Sequence, residues 1–308
     1  MTVTAHSEAS ARSFRGGLDA DREFERLIES AEELSHDPDV EIDWEAPLDP
    51  NKYGLNPQWS TLYGHRMWDR MSEQQRINLT RHEVGSIMST GIWFETMLQH
   101  MILRTQYSAD YGDPSFRFAL IEIADECRHS LMFSKACSKM GVPHYRPIRL
   151  FHELGRGFKT LSSPEMSFGA ILVAEEILDI MQRDWMRGEN VLDEVRTSSK
   201  IHVLEEARHM KYARLEITER MKSIGAARRN TSAVVIAVVA AVIVESLVNH
   251  QVYPNVGLDH DTAVAAMREN HHHQDLMRMS CVHLMDFLSS AGLLNKPAMQ
   301  IYRSVHML

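Results

Sequence analysis

The sequence has little cysteine, and the few cysteines do not form a recognisable motif. Among 308 residues there are three, Cys127, Cys137 and Cys281, and no two of them are spaced as CxxC. On one helix, Cys127 and Cys137 would stand roughly 15 Å apart, which is too far for a disulfide. The spacing excludes a cysteine-held iron–sulfur cluster and favours a reducing compartment, so we predict a cytoplasmic protein.

Three further features are missing. No basic run stands out and the formal net charge is -9, which argues against a nucleic-acid binder. The opening MTVTAHSEASARSFRGG contains no apolar stretch of the kind found in a signal peptide. The most apolar segment, residues 233–244, contains 12 apolar residues, fewer than the ~20 of a membrane span. We therefore predict a small-molecule substrate, no membrane segment and a buried core helix over 233–244.

The residues that are present predict an all-α fold. Proline is scarce, at 10 residues, and alternating runs of β-branched residues are few. Capping residues and apolar spacing predict helices over about 72–106, 113–141, 163–188, 190–225, 231–252 and 261–291. Residues 1–45 are polar and acidic and are predicted to form a mobile or loosely docked arm, followed by a single domain over 46–308.

Two near-copies of one charged pentapeptide carry the strongest chemical signal. Residues 125–129 read DECRH and residues 205–209 read EEARH. A Glu and a His three residues apart lie on one face of a helix, where both can bind one metal ion. Glu33/His36 and Glu269/His272 share this spacing without the rest of the motif, and we predict that they are exposed polar pairs.

A further acid precedes each copy at the same distance. Glu95 precedes Glu126 by 31 residues, and Glu175 precedes Glu206 by the same interval, which favours Glu175 over its neighbour Glu176. In antiparallel helical hairpins this interval brings the carboxylates to one height. A four-helix bundle with one Glu from each of two helices and E-x-x-H from each of the others is the di-iron or di-manganese carboxylate arrangement. Carboxylate and imidazole ligands suit iron or manganese.

Residues around these motifs extend the predicted site. His202 lies four residues before Glu206 on the same helical face, so it is a candidate third histidine ligand. Asp125 and Glu205 are predicted to accept hydrogen bonds from the outer nitrogens of the histidine ligands. Arg128 and Arg208 are predicted to pair with those acids. The alternative for these four residues is a solvated helix face.

The pattern of Glu95, DECRH, VAEE and HVLEEARH resembles the AurF-type p-aminobenzoate N-oxygenases, a family of non-haem di-iron enzymes. The resemblance covers about residues 60–250. It implies a ferritin-like four-helix bundle core with additional C-terminal helices, and two iron ions, with manganese as the alternative. Dioxygen would be the co-substrate, a peroxo-type species the oxidant, and an aromatic amine would be oxidised through hydroxylamine and nitroso towards nitro. The implied metal ligands are Glu95, Glu126, His129, Glu175, His202, Glu206 and His209.

Other parts of the site follow from the same helical faces. The substrate pocket is predicted beside the first and third bundle helices, near Ile92, Leu98, Gln99, Ile171 and Asp179. The chain has no nucleotide-binding motif, so an external ferredoxin or flavin reductase must supply electrons. The apolar helix 233–248 is a candidate homodimer surface. His271 to His273 are predicted to lie on an exposed helix face and not to bind metal.

Four alternative functions share parts of this pattern. A di-iron hydroxylase of C–H bonds carries the same charged pentapeptide, and a ferritin-like protein that binds metal without catalysis would share the bundle. Phe133 occupies the position where a radical-generating ribonucleotide reductase subunit would have tyrosine, which argues against that class. His202 and the chain length argue against an iron-storage or peroxide-handling protein.

Overall fold

A computed structural model describes residues 18–308 of the chain, and within this range it contains helices and no strand. Tyr53 and Val191 form a single isolated bridge. The predicted all-α fold is confirmed. The helices, in chain order, are α1 (Leu18–Glu33), α2 (Pro38–Glu41), α3 (Arg66–Arg70), α4 (Glu73–Gln106), α5 (Pro114–Met140), α6 (Arg149–Leu161), α7 (Pro164–Trp185), α8 (Asp193–Met221), α9 (Ala226–Leu247), α10 (Val252–Asn255), α11 (His260–Glu269), α12 (His271–Ser280), α13 (Val282–Ser290) and α14 (Lys296–Ser304).

Helices α4, α5, α7 and α8 form the central bundle. In it α4 packs on α5, α7 packs on α8, and the two hairpins meet through α5 with α8 and α4 with α7. The helix starts follow local capping chemistry, since the Ser72 side chain and the Gln75 side chain each bond the other residue's backbone N–H. Gly141, with φ 66°, ends α5 in the left-handed conformation. This arrangement is the ferritin-like bundle core, with further helices after it.

Helix α9 presents one face to the core and the other outward. Ala233, Ile236 and Ala240 are fully buried, whereas Val238 is 47% exposed. By length and composition the segment Ala226–Asn255 is long and apolar enough to cross a membrane, but 44% of its most apolar stretch is buried inside the protein. A core helix and a membrane helix both pass this test. The prediction of a buried core helix is therefore correct for one face of α9.

The N-terminal segment is attached more closely than the sequence predicts. Helix α1 packs across α5 and α8, and Phe24, Leu27 and Ile28 are at most 4% exposed. Because these apolar side chains are removed from water, the prediction of a loosely docked arm is wrong for this helix. Residues 1–17 of the predicted arm lie outside the described residues, and the domain boundary at 45/46 stays a prediction.

The helices outside the bundle depart most from prediction. The single helix predicted over 261–291 is three helices, with breaks at Asn270 and at Cys281. Asn270 leaves the helical path and donates its side-chain amide to the carbonyls of Thr61 and Tyr63. Helix α6 lies in a stretch for which no helix is predicted. Helix α9 begins earlier and ends earlier than its predicted range of 231–252.

The three consecutive histidines are also placed differently from the prediction. His271 is exposed, but the Nε2 atom of His272 lies 2.9 Å from the carbonyl oxygen of Gln58. His273 lines a cavity, and burial lowers its pKa to about 4. The prediction of an exposed face is therefore wrong for His272 and His273.

Candidate metal centre

Two carboxylates and two imidazoles meet at the middle of the bundle. The Nδ1 atom of His129 lies 3.4 Å from a Glu126 oxygen and 3.3 Å from a Glu206 oxygen. The Nδ1 atom of His209 lies 3.2 Å from the other Glu126 oxygen and 3.1 Å from the same Glu206 oxygen. All four side chains are fully buried. Each carboxylate therefore contacts both imidazoles, as expected of groups that bridge two ions.

Three further predicted ligands surround this core. The Nε2 atom of His202 lies 3.5 Å from a Glu206 oxygen and 4.0 Å from a Glu95 oxygen. Glu95 also accepts a hydrogen bond from the Ser130 hydroxyl on α5. Glu175, on α7, lies with His202 and Glu206 in one group whose ligand atoms are within 4.8 Å of one another. All seven predicted metal ligands are thus brought to one place, at most 5% exposed.

The neighbouring acid Glu176 is directed elsewhere. It pairs with Arg214 on α8 and belongs to none of the potential metal-binding groups among residues 18–308. Consecutive residues on a helix are about 100° apart around its axis, so only one of the two can face the bundle interior. The interior position belongs to Glu175, the residue that the interval of 31 favours.

The acids beside the ligands contact histidines on the opposite helix. The Nε2 atom of His129 on α5 lies 2.7 Å from Glu205 on α8, and Nε2 of His209 on α8 lies 3.2 Å from Asp125 on α5. Each imidazole is held by its outer nitrogen, which leaves Nδ1 directed at the centre. Helices α5 and α8 therefore each supply an acid that fixes the orientation of a histidine ring on the other helix.

Arginines and the N-terminal segment cover these outer acids. Arg128 bonds both Asp125 and Glu205, and Arg208 lies 3.4 Å from Asp125. Arg208 also donates to the Leu34 carbonyl at 3.2 Å, and the His36 backbone N–H donates to Glu205 at 3.2 Å. The outer acids are therefore surrounded by donors, and the predicted alternative of a solvated face does not describe them.

Burial and like charge perturb the ionisation of the central groups. Desolvation, together with the charge of Glu126, raises the pKa of Glu95 well above its usual range. Desolvation and Glu206 do the same to the pKa of Glu175. Desolvation lowers the pKa of His202 to about 4, so this imidazole is neutral at neutral pH. Crowded buried carboxylates and a neutral imidazole are the donor set that a divalent ion stabilises.

Unpartnered polar atoms show that the residues fit a metal ion. Fully buried atoms without a hydrogen-bond partner include Glu95 Oε1, Glu126 Oε1, Glu175 Oε2, both carboxylate oxygens of Glu206, and Nδ1 of His209. Buried polar groups are almost always bonded, and an orphaned group costs about 1–3 kcal/mol. A bound cation would satisfy these converging lone pairs. The chemistry of the set, carboxylate with imidazole and without thiolate, suits iron or manganese.

Sequence reasoning missed one acid at this centre. Glu122, fully buried on α5, lies in a group with Glu126 and His209, and neither of its oxygens has a hydrogen-bond partner. The signal was available in the repeat. Glu122 stands four residues before Glu126, as His202 stands four residues before Glu206. The two halves therefore match at this position too, with a carboxyl in place of an imidazole.

An apolar cavity adjoins the centre and corrects the predicted pocket. Leu98 and Ile171 line it, whereas Ile92, Gln99 and Asp179 do not. Asp179 instead pairs with Arg183 at 2.6 Å, and Gln99 accepts from the Cys127 thiol. The pocket prediction is wrong for these three residues because it omitted α6 and α9, which complete the wall.

The bundle and its buried carboxylate–imidazole cluster define the class of dinuclear metal carboxylate proteins. The family model described as p-aminobenzoate N-oxygenase AurF matches residues 18–292. The chain belongs to this family, and the resemblance predicted from its sequence is confirmed. Membership supports an enzyme of the di-iron oxygenase kind with a dinuclear metal site.

Three proteins similar to this chain come from mycobacteria. Proteins described as uncharacterized from Mycobacterium bovis and from two strains of Mycobacterium tuberculosis are each 24% identical over 223 residues. The alignment covers 68% of this chain and 66% of each relative, so the chain spans slightly less than two thirds of their length. Their descriptions name no reaction.

Proposed function

We propose that this chain is a di-iron N-oxygenase that uses dioxygen to oxidise an aromatic amine towards the hydroxylamine, nitroso and nitro levels. The observation that carries the proposal is the buried cluster of ligand atoms from Glu95, Glu126, Glu175, Glu206 and three histidines, in which each of the four carboxylates has an oxygen without a hydrogen-bond partner. The family supports the oxygenase kind, and the name of the family, p-aminobenzoate N-oxygenase, supports an amine as the substrate. Iron is the metal proposed, with manganese as the alternative.

The predicted ligands and their neighbours have different roles at the proposed metal site. Glu126 and Glu206, with Glu95 and Glu175, would supply the carboxylate ligands of the two ions, while His129, His209 and His202 would supply the nitrogen ligands. Bound iron would supply the electrons that activate dioxygen. Asp125 and Glu205 hold the outer imidazole nitrogens, which directs Nδ1 of each ring inward. The apolar neighbours exclude water, so the ligand charges act in a medium of low dielectric constant.

The reaction determines what else the protein needs. Converting an amine to a hydroxylamine places one oxygen atom of dioxygen on nitrogen and releases the other as water, which consumes two electrons and two protons. We propose that a ferredoxin or a flavin reductase delivers these electrons. We propose that the protein works in the cytoplasm, without nucleic acid or membrane, and that its homodimer, if one forms, uses the outer face of α9.

Metal loading followed by single turnover tests the proposal. We expect about two iron ions per chain in the wild type, as in other proteins with this ligand pattern, and loss of iron in Glu126→Ala. Glu219→Ala, in the last turn of α8 where Glu219 pairs with Lys222, is the matched control. The reduced, loaded protein is then exposed to dioxygen with aniline or 4-aminobenzoate, and products are identified by mass spectrometry.

The products decide between the two oxygenase reactions. N-oxidised products support the proposal. Hydroxylation at carbon alone would overturn the proposed N-oxygenation in favour of a C–H hydroxylase. Binding of one zinc ion or of no metal would refute any oxygenase function.

A further inference from the structure

The cavity beside the metal centre has an almost wholly apolar wall. It measures about 260 Å³ and lies between α4, α6, α7 and α9. Leu154 and Val238 line it and are 50% and 47% exposed, so the cavity opens between α6 and α9. Among the described residues that line it, Glu175 is the only one with a charged side chain. The rest are aliphatic or aromatic residues, methionine, alanine and glycine.

Glu175 belongs to both the cavity and the metal centre. It is 5% exposed, it lies in a ligand group with His202 and Glu206, and its Oε2 atom has no hydrogen-bond partner. A molecule that fills the cavity therefore has its inner end beside the cluster, next to a buried acceptor. An amine N–H is a donor that matches such an acceptor.

We infer that this cavity is the substrate site of the proposed oxygenase and that it selects an uncharged, apolar aromatic amine over an anionic one. The inference rests on the proposed function. A benzoate-type substrate would bring its carboxylate against a wall that offers no Lys or Arg among the described lining residues. Burying a carboxylate without a cationic partner is strongly unfavourable. A neutral ring gains free energy from the same wall by the hydrophobic effect.

One basic side chain at the end of α4 is already engaged. Arg104, at the end of α4, donates to the Lys159 carbonyl at 2.9 Å and also bonds Ser162. These bonds join α4 to the end of α6 and occupy the guanidinium. The volume, just below the ~300 Å³ at the lower end of ligand pockets, suits a single ring with a short substituent.

The test compares two probes of similar shape and different charge, 4-methylaniline and 4-aminobenzoate. Binding is measured by titration calorimetry on the metal-loaded, oxidised protein without reductant, so no turnover is needed. We expect 4-methylaniline to bind at least about tenfold more tightly, a difference of about 1.4 kcal/mol. Filling the cavity with Val242→Phe should weaken this binding.

A variant designed to bind the anionic probe more tightly gives a second, independent measurement. Val238→Arg places a cation at the half-exposed mouth, where the charge stays hydrated and the fold tolerates it. We expect this variant to bind 4-aminobenzoate more tightly than the wild type does. Val238→Gln, which is polar but uncharged, is the matched control and should not show this gain.

The outcomes separate this inference from the proposed function. A wild type that binds 4-aminobenzoate as tightly as 4-methylaniline, or binds neither, overturns the inference. A protein that oxidises amines but prefers the anionic probe loses only the inference. One that binds 4-methylaniline with the expected preference and never oxidises an amine refutes the proposed function instead.

Discussion

Single side chains aim the two central imidazoles from the opposite helix. Asp125 and Glu205 each hold an outer nitrogen, and Arg128 joins the two acids. The ring orientation is therefore fixed before any ion binds. Removing one acid leaves the histidine ligand in place but no longer fixes the orientation and tautomer of its ring. Such a variant therefore tests ring orientation separately from metal coordination.

We expect Asp125→Ala to weaken metal binding by about 10- to 100-fold, because His209 loses its outer partner. Competition with a metal indicator measures the affinity. Asp275→Ala removes an exposed acid that pairs with Arg278 on α12, and its metal affinity should equal that of the wild type. If Asp125→Ala binds metal as tightly as this control, the outer acid does not orient the ligand.

Glu83 provides a residue-scale prediction away from the metal. It is fully buried on α4 and accepts from the Thr61 backbone N–H at 2.8 Å. Desolvation raises its pKa to about 7, although Thr61 partly opposes the shift. The folded state thus holds the proton more tightly than the unfolded state. The resulting stability is fully present below the unfolded pKa of about 4.5 and is lost as pH rises through 7.

We expect Glu83→Gln to remove this loss, because glutamine keeps the acceptor without the charge. The free energy of unfolding of the variant minus that of the wild type should rise by on the order of 2 kcal/mol between pH 5 and pH 8. Urea denaturation at each pH measures it, with Glu29→Gln, at an exposed position on α1, as the control. A difference that stays constant with pH would show that Glu83 does not titrate in this range.

At the scale of elements, close approaches set how the connecting segments pack on the bundle. Gly54 lies against α4, and a Cβ atom there would stand 2.4 Å from the Thr80 carbonyl oxygen and 2.5 Å from Arg81 Cα. These are backbone atoms of a long helix, so they cannot yield as a flexible side chain would. Glycine at position 54 is therefore a requirement of the packing.

We expect Gly54→Ala to lower the free energy of unfolding by about 1–3 kcal/mol or more, since the segment must lift from α4. Gly157→Ala is the control, because no atom lies within 4 Å of its added Cβ on α6. That change should stabilise the helix by up to about 1 kcal/mol. Denaturation curves for both variants would contradict the packing argument if the two changes had the same sign.

The sequence predicted the elements whose signals are local. Helices α4 and α5 start and end at capping residues, and the ligands follow from helical spacing, so both could be read from neighbouring letters. The break at Asn270 could not, because it depends on carbonyls of Thr61 and Tyr63 about 200 residues away along the chain. Helix α6 could not be predicted as readily, because Gly155 and Gly157 in its middle lower its helix propensity.

At the scale of the whole molecule, the N-terminal helix closes one side of the bundle. The Phe24 ring packs edge-on against Tyr212 with centroids 5.7 Å apart, and the chain then passes over Arg208 and Glu205 through Leu34 and His36. The N-terminal segment is thus linked to the metal centre through the outer acids. Apolar burial by α1 keeps that cover in place.

We expect Phe24→Ala to destabilise the protein by about 3–5 kcal/mol, because a buried ring is removed from a filled site. Leu34→Ala is the control, since that side chain is 57% exposed and its carbonyl remains. Thermal unfolding and limited proteolysis near residue 34 measure both effects. A Phe24→Ala protein as stable as the control would show that α1 is only loosely attached after all.

The two halves of the bundle have different kinds of potential ligand at one corresponding position, where α5 has Glu122 and α8 has His202. One half therefore adds an acidic group and the other a neutral ring to otherwise matching ligand sets. Two ions bound between them would be chemically unequal, each with its own affinity and reduction potential. The site would then fill in a fixed order, and a protein with one ion would carry it on a defined side of the bundle.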